Sequence, residues 1–206
     1  RRVMLTFYET IKGDFEKAHQ LSKTLQMGIE KYGFIFMAPW VYEITGYLRL
    51  MRGDLIDAEQ IGNRYVSTAR SLKNAFLKGL ALRLLGLIYL HQKDFKKAKE
   101  VIDQSIDALT KEAPSRYHLN RVKIILGLIC HEIKDVERGE KELSEALHYF
   151  SSISSYVSQA EIHFAMAFLQ QDQGKKEKAA SHLRTAFKIF KEKKYEYAYT
   201  LGTKYL

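Results

Sequence analysis

Proline is nearly absent from this chain, with 2 residues in 206, and glycine is scarce at 12. Both residues interrupt helices, so their scarcity beside abundant Leu, Ala, Lys and Glu argues against a fold of strands and tight turns and favours helices. The single cysteine, Cys130, cannot form an internal disulfide, so no oxidising compartment is required and we expect a cytoplasmic protein. No apolar run approaches the roughly 20 residues of a membrane span, which excludes a transmembrane helix.

The composition that remains is 46% hydrophobic and 28% charged, which argues against disorder. The formal net charge is +9, and residues 171–206 contribute nine Lys or Arg against four Asp or Glu. This excess permits attraction to acidic partners, nucleic acid or anionic membrane without choosing among them, and we interpret it as a solvated outer helix face. The chain begins and ends inside its pattern, so we expect a piece of a longer protein.

A short segment recurs five times along the chain. It begins with Gly or Lys, the next residue is usually Asp, and a small residue stands four positions after that second residue. The copies are 13–18, 53–58, 93–98, 134–139 and 174–179, and the small residues closing them are Ala18, Ala58, Ala98, Gly139 and Ala179. Their spacings are 40, 40, 41 and 40 residues. A fixed period of this size is typical of helical repeat proteins.

The segment has the chemistry of a tight turn between two helices. Gly can adopt the left-handed conformation past a helix end, and the Asp oxygen can accept from free amides at the start of the next helix. Twelve residues before each small residue, repeats two to five have Gly46, Gly86, Gly127 and Ala167. Small side chains there predict that the two helices of each hairpin cross closely, with the closing Ala or Gly accepting the contact. Apolar residues recur at helical spacing on both sides of the turn.

These residues resemble the tetratricopeptide repeat family, whose consensus contains L-G-x-x-Y followed by a conserved Ala. Leu85-Gly86-Leu87-Ile88-Tyr89 and Ala98 match it, although the period is 40 rather than 34, Tyr42 and Leu82 stand at the Trp position, and the closing Pro is absent. Cys130 replaces the consensus Tyr in repeat four and is expected to face the hairpin core. Longer repeats are similar to those in bacterial transcription regulators of the maltose-regulator type.

The resemblance implies an all-α fold, a right-handed α-α superhelix of five hairpins plus one terminal helix, in a single domain spanning 1–206. The expected repeats are 1–33, 34–73, 74–113, 114–154, 155–193 and a partial repeat at 194–206, where Leu201-Gly202-Thr203-Lys204-Tyr205 again reads L-G-x-x-Y. Stacked hairpins of this kind share one core and form a concave groove lined by the first helix of each repeat.

The family's groove positions, transferred by register, predict a partner-binding groove that is aromatic and apolar with a few charges. The positions are Trp40, Glu43, Tyr47, Leu50, Arg83, Leu87, Leu90, His91, Arg121, Ile124, Leu128, His131, Glu161, Phe164, Phe168 and Gln171. Aliphatic members such as Leu87 and Leu128 could equally pack between repeats, whereas we expect Trp40, Tyr47, Arg83 and Arg121 to be exposed. The Lys and Asn that clamp chaperone C-termini in some family members are not reproduced, so the sequence disfavours a co-chaperone role.

The chain carries no motif of a known catalytic or cofactor site. It has no phosphate loop, nucleophile elbow, Cys-x-x-Cys pair or paired helical His with an intervening Glu. The seven histidines are spread over different repeats, and although His91, His131 and His163 fall in or near the groove, a metal would need convergent ligands of matched geometry. We therefore expect no enzyme activity, no metal and no cofactor.

Three functions remain open. The favoured hypothesis is a protein-interaction scaffold that binds a peptide or helix, or flanking domains of the same chain, in the groove. The second is a module of a larger bacterial regulator that senses a small molecule or peptide through a change of curvature. Nucleic-acid binding through the basic outer surface is a weaker alternative, because no paired code of RNA-reading side chains recurs along the repeats.

Overall fold

The computed structural model describes residues 5, 6, 9, 14–33 and 37–193. These residues form helices and contain no strand, which confirms the predicted all-α class. The helices are α1 (Phe15–Tyr32), α2 (Ala38–Arg52), α3 (Leu55–Ser71), α4 (Ala75–His91), α5 (Phe95–Asp107), α6 (Arg116–Glu132), α7 (Val136–Ser152), α8 (Tyr156–Asp172) and α9 (Lys176–Glu192). A π-helical turn, Ala108–Glu112, follows α5.

The helices pair into hairpins in the predicted register. The expected repeats 34–73, 74–113, 114–154 and 155–193 each contain two helices joined by a turn of two or three residues. Of the first repeat, 1–33, the structure gives the second helix, α1. Of the rest of that repeat, residues 5, 6 and 9 are described and are helical, whereas Gly13 and the predicted terminal helix at 194–206 lie outside the described residues.

The turn within each hairpin has the same backbone conformation in repeats two to five. Gly53 and Gly174 have φ values of 82° and 70°, and Lys93 and Lys134 both have 62°. The next residue then donates its N–H to the carbonyl five residues earlier, as Asp94 does to Tyr89 at 2.9 Å. This bond satisfies a carbonyl at the helix end. The left-handed conformation predicted for glycine is thus also adopted by two lysines.

The Asp residues of the turns cap the following helices only in part. The carboxylates of Asp14 and Asp94 accept from the backbone N–H of Lys17 and Lys97 at 3.2 and 3.1 Å, as predicted. The side chain of Asp54 makes no capping bond and lies instead 3.4 Å from Arg49. Asp135 makes no side-chain capping bond either.

The glycines of the first helices permit the predicted close crossing. A Cβ atom on Gly86 would overlap Ile102 of α5, and one on Gly127 would lie 2.6 Å from the side chain of Leu143 on α7. In both cases the added atom would lie closer to its neighbour than van der Waals contact allows. The partner differs from the expected Ala98, since the nearest atoms to Gly86 belong to Ile102 and its neighbour Val101. The crossing therefore lies about one helical turn beyond the closing small residue.

The contacts of the chain divide it into two compact units, unit 1 (Arg1–Ser115) and unit 2 (Arg116–Leu206). Each has its own core. In unit 1 the largest fully buried side chains include Leu48, Tyr65, Ile88, Ile102 and Leu109, and in unit 2 they include Leu126, Leu143, Phe150, Ile162 and Leu169. The single domain over 1–206 remains a prediction. Within the described chain, no helix is long and apolar enough to cross a membrane.

Candidate functional site

In unit 1, one side of the first helices α2 and α4 carries the predicted binding residues. Trp40, Glu43 and Tyr47 follow one another at spacings of three and four on α2, which places them on one face of the helix. Arg83, Leu87 and His91 do the same on α4 at spacings of four. We call these six residues the unit 1 face.

An ion pair joins the two helices across this face. Nη2 of Arg83 donates to Oε1 of Glu43, and the two side chains are 20% and 21% exposed. Tyr65 of α3 is fully buried, and its burial, with the negative charge of Glu43 acting in the same direction, raises the pKa of its hydroxyl. The expectation that Arg83 is exposed is wrong, because its guanidinium is held against α2.

Trp40 is the most prominent apolar side chain of the unit 1 face. It lies in the first turn of α2, directly after Pro39, and is 48% exposed. Tyr47 and Leu87 are half-buried, so Tyr47 is less exposed than expected, and His91 is exposed. Leu50, transferred as a groove residue, is only 3% exposed and belongs to the core.

In unit 2, a second ion pair joins the first helices α6 and α8, just as the first pair joins α2 and α4. Nη1 and Nη2 of Arg121 donate to the two carboxylate oxygens of Glu161, the second at 3.5 Å, and Nη1 also lies 3.3 Å from the Ser158 hydroxyl. The Arg121 side chain is only 26% exposed, so the expectation that it is exposed is wrong as well. Ile124, another transferred position, is a core residue at 6% exposure.

Aromatic rings form a continuous row beside this pair. The ring of His131 stacks on Phe168 with centroids 5.2 Å apart and an interplanar angle of 24°. Phe168 in turn meets Phe164 edge to face at 5.0 Å. All three rings are partly exposed, and Leu128 packs against the core next to them. We call Arg121, Leu128, His131, Phe164 and Phe168 the unit 2 face.

Asp172, at the end of α8, holds the His131 end of this row. Its carboxylate lies 2.6 Å from Nδ1 of His131 and accepts from Nζ of Lys134 at 2.8 Å. Burial acts to raise the pKa of Asp172, but the hydrogen bonds from Lys134 and His131 and their charges outweigh it and lower that pKa. The imidazole is therefore fixed in orientation against Phe168.

His163 does not join the unit 2 face. Its Nδ1 lies 2.9 Å from Nδ1 of His182 on α9, so the ring faces the second helix of its own hairpin. Burial lowers the pKa of His163, and the charge of His182 lowers it further. Among the residues with described positions, no three His, Cys, Asp or Glu side chains converge as metal ligands. Cys130 is buried, as the hairpin register predicted.

The inter-repeat polar contacts are the part of the site that sequence reasoning missed. Glu43 and Arg83 are separated by 40 residues, and so are Arg121 and Glu161. Opposite charges at equivalent positions of neighbouring repeats were a readable signal for such pairs. The groove register alone places those charges on the binding surface, whereas in the structure they bind each other.

The comparisons with known proteins support the repeat type. Residues 81–108, the second part of α4 and all of α5, match the family model for the tetratricopeptide repeat. Repeats of this type generally mediate contacts between proteins and are generally non-enzymatic. The narrower similarity to maltose-regulator repeats remains a prediction, as does the absence of a cofactor.

Solved structures of two repeat proteins have the same fold. The crystal structure of BtubC (BKLC) from P. vanneervenii superposes with a TM-score of 0.68 at 14% identity and covers 92% of this chain and 78% of its own. A Podosopora anserina putative kinesin light chain with nearly identical TPR-like repeats gives a TM-score of 0.63 at 13% identity, covering 93% and 94%. These likenesses establish the hairpin-repeat fold.

A human protein is also similar in sequence. Cilia- and flagella-associated protein 70 of Homo sapiens is 26% identical over 164 residues, which is 78% of this chain. The chain spans 12% of the length of that relative.

Proposed function

We propose that this chain is a protein-binding scaffold and that the unit 1 face and the unit 2 face each receive an amphipathic helix of a partner protein. The observation that carries the proposal is the combination on these faces of paired charges and partly exposed aromatic rings. Trp40 is 48% exposed, and His131, Phe168 and Phe164 form a partly exposed row.

The paired charges define what the faces can recognise. Because Glu43 binds Arg83, Arg121 binds Glu161 and Asp172 binds His131, most charged groups on the faces already have a partner. A ligand attracted mainly by charge would have to displace these pairs. Aromatic side chains remain available, and Trp, Tyr and Phe are the residue types enriched in the cores of protein interfaces.

The proposed occupant is a helix because the available side chains lie in rows along helices. Phe164 and Phe168 are one helical turn apart on α8, and Trp40 and Tyr47 are two turns apart on α2. Apolar residues of a partner helix at spacings of three and four match such rows. Each row supplies two or three anchors, which is typical of a helix bound in a shallow groove.

The test is a selection of displayed peptides on the immobilised chain, followed by affinity measurement with synthetic copies. We expect amphipathic peptides whose affinity falls at least roughly tenfold in a Trp40→Ser or Phe168→Ser variant, since truncating an interface anchor costs about 2 kcal/mol or more. Ile56→Ser is the matched control, because Ile56 is 74% exposed but lies on α3, a second helix.

Two outcomes would contradict the proposal. The first is a set of peptides whose affinity is unchanged in both face variants, and the second is a selection that returns no binder. Binding of a small effector without peptides would favour the regulator alternative. Binding that falls steeply with salt and requires nucleic acid would favour the basic outer surface.

The proposed setting of the partner rests on the human relative. The name of that protein associates it with cilia and flagella. As part of the proposal, we place this chain as a binding segment within a larger protein of that kind, and a library of ciliary protein sequences is the first to display.

A further inference from the structure

A cleft of about 330 Å³ opens in unit 1 on the side away from the unit 1 face. Helices α3 and α5 both pack against α4, and the cleft lies between them with α4 as its floor. On α4 it is lined by Leu82, Leu85 and Tyr89. At about 100° per residue these point opposite to Arg83, Leu87 and His91 of the unit 1 face. We call this feature the second-helix cleft.

The floor and walls of the second-helix cleft are apolar. Val66, Leu82 and Leu85 are 7%, 3% and 4% exposed, so only a small part of each side chain contacts solvent through the opening. Tyr89 forms one wall, and its hydroxyl donates to Oε1 of Glu59 at 3.2 Å. Because Gln92 binds the other oxygen of that carboxylate at 2.8 Å, the ring of Tyr89 is held in place.

The rim of the cleft is polar and carries one charge. Asn63, Ser67, Arg70 and Gln104 form it, and all four are exposed. Arg70 is the only charged side chain among the lining residues, and none of them is an acid. Arg70 makes no ion pair with any residue that the structure describes. A guanidinium at the mouth of an apolar cleft favours a carboxylate, which it can bind through two parallel hydrogen bonds.

The cleft is not a general product of the repeat. In unit 2 the same contacts recur 81 residues later, where Gln170 and Gln173 donate to Glu140 as Tyr89 and Gln92 do to Glu59. This register sets the equivalent positions, which are His163 for Leu82, His182 for Val101 and Ser151 for Arg70. In unit 2 the two histidines contact each other, and a serine, not an arginine, stands at the position equivalent to Arg70. The apolar floor with its arginine is therefore not repeated at the equivalent described positions of unit 2.

We infer that the second-helix cleft binds a small organic carboxylate with a compact aromatic or branched aliphatic body. The apolar part lies on Leu82 and Leu85 beside the Tyr89 ring, and the carboxylate binds Arg70. The volume is near the lower limit of sites for small ligands, so one ring or a short branched chain fills it. This site is separate from the proposed binding of a partner helix to the unit 1 face.

The probes are 4-phenylbutyrate and its neutral amide, titrated into the isotopically labelled 206-residue chain and followed by amide chemical shifts in NMR. We expect saturable shifts confined to 63–70, 82–89 and 101–104. The carboxylate should bind roughly fivefold more tightly than the amide, as an exposed ion pair contributes up to about 1 kcal/mol. Absence of saturable shifts, or shifts centred elsewhere, overturns the inference.

Variants separate the two parts of the site. Arg70→Gln should reduce the affinity for 4-phenylbutyrate to that of the amide, whereas Arg64→Gln, on the same helix but outside the cleft, should leave both affinities unchanged. Ser67→Phe places a ring at the exposed rim and should abolish binding of both probes without unfolding the chain. An unchanged ratio of carboxylate to amide in Arg70→Gln would refute the role of Arg70. Unchanged binding in Ser67→Phe would refute the location.

Discussion

Lys93 occupies a backbone conformation that suits glycine better. Its φ of 62° is in the left-handed region, where Gly53 and Gly174 stand in the equivalent turns. A side chain there costs about 1–3 kcal/mol, while glycine loses roughly 0.5–1 kcal/mol through chain entropy. We therefore expect Lys93→Gly to raise the free energy of unfolding by about 0.5–1 kcal/mol, measured by chemical denaturation.

The equivalent turn of repeat two and the helix that follows Lys93 supply the controls for this prediction. Gly53→Lys should lower the free energy of unfolding by a comparable amount, because it creates in repeat two the situation that Lys93 has in repeat three. Lys96→Gly, in the first turn of α5, should destabilise the chain, since glycine has the lower helix propensity. A lower midpoint for Lys93→Gly would show that the lysine side chain contributes a contact that outweighs the strain.

At the scale of helices, the sequence predicts positions well and side-chain partners poorly. The 40-residue register located every described hairpin, because the turn segment and the small residue are set by local backbone geometry. The pairing of Glu43 with Arg83 and the formation of the second-helix cleft depend on how neighbouring hairpins stack. The ion pair joins side chains 40 residues apart, and the cleft is lined by side chains of three different helices. Local sequence patterns do not reveal contacts of either kind.

The contact between His163 and His182 makes the hairpin of α8 and α9 sensitive to pH. At 2.9 Å one Nδ1 must donate and the other accept, so the contact fails when both rings are protonated. Burial lowers the pKa of both histidines below the ordinary 6.5, with Glu140 opposing and Lys178 reinforcing the effect on His182. The unfolded chain then binds protons more readily, and stability falls as pH decreases below about 6.5.

We expect His182→Gln to reduce this pH dependence, measured as the difference in free energy of unfolding between pH 7.5 and 5.5. His148→Gln is the matched control, because His148 is exposed on α7 and should leave the difference unchanged. The lowered pKa of Asp172 acts in the same direction but only near and below pH 3.8, outside this interval. An identical pH dependence in wild type and His182→Gln would show that folding does not change the protonation of this pair.

At the scale of the whole molecule, the open question is whether units 1 and 2 unfold together. Stacked repeats are coupled through their interfaces. The prediction of one domain over 1–206 therefore requires that a destabilising substitution in one unit also lower the stability of the other. The chain contains one tryptophan, Trp40, which lies in unit 1 and reports that unit alone by fluorescence. Far-UV circular dichroism reports the helices of both units.

Gly127→Leu tests this coupling from unit 2. The added side chain would collide with Leu143, since a Cβ at Gly127 already lies 2.6 Å from it, and overpacking of this kind costs about 1–3 kcal/mol. If the chain is one cooperative domain, the Trp40 fluorescence midpoint in denaturant falls together with the circular dichroism midpoint, as it should in Gly86→Leu, the equivalent lesion in unit 1. Coincident probes are the criterion for a two-state transition. A Trp40 midpoint that stays at the wild-type value, while part of the helical signal is lost earlier, would instead establish two independently folding domains.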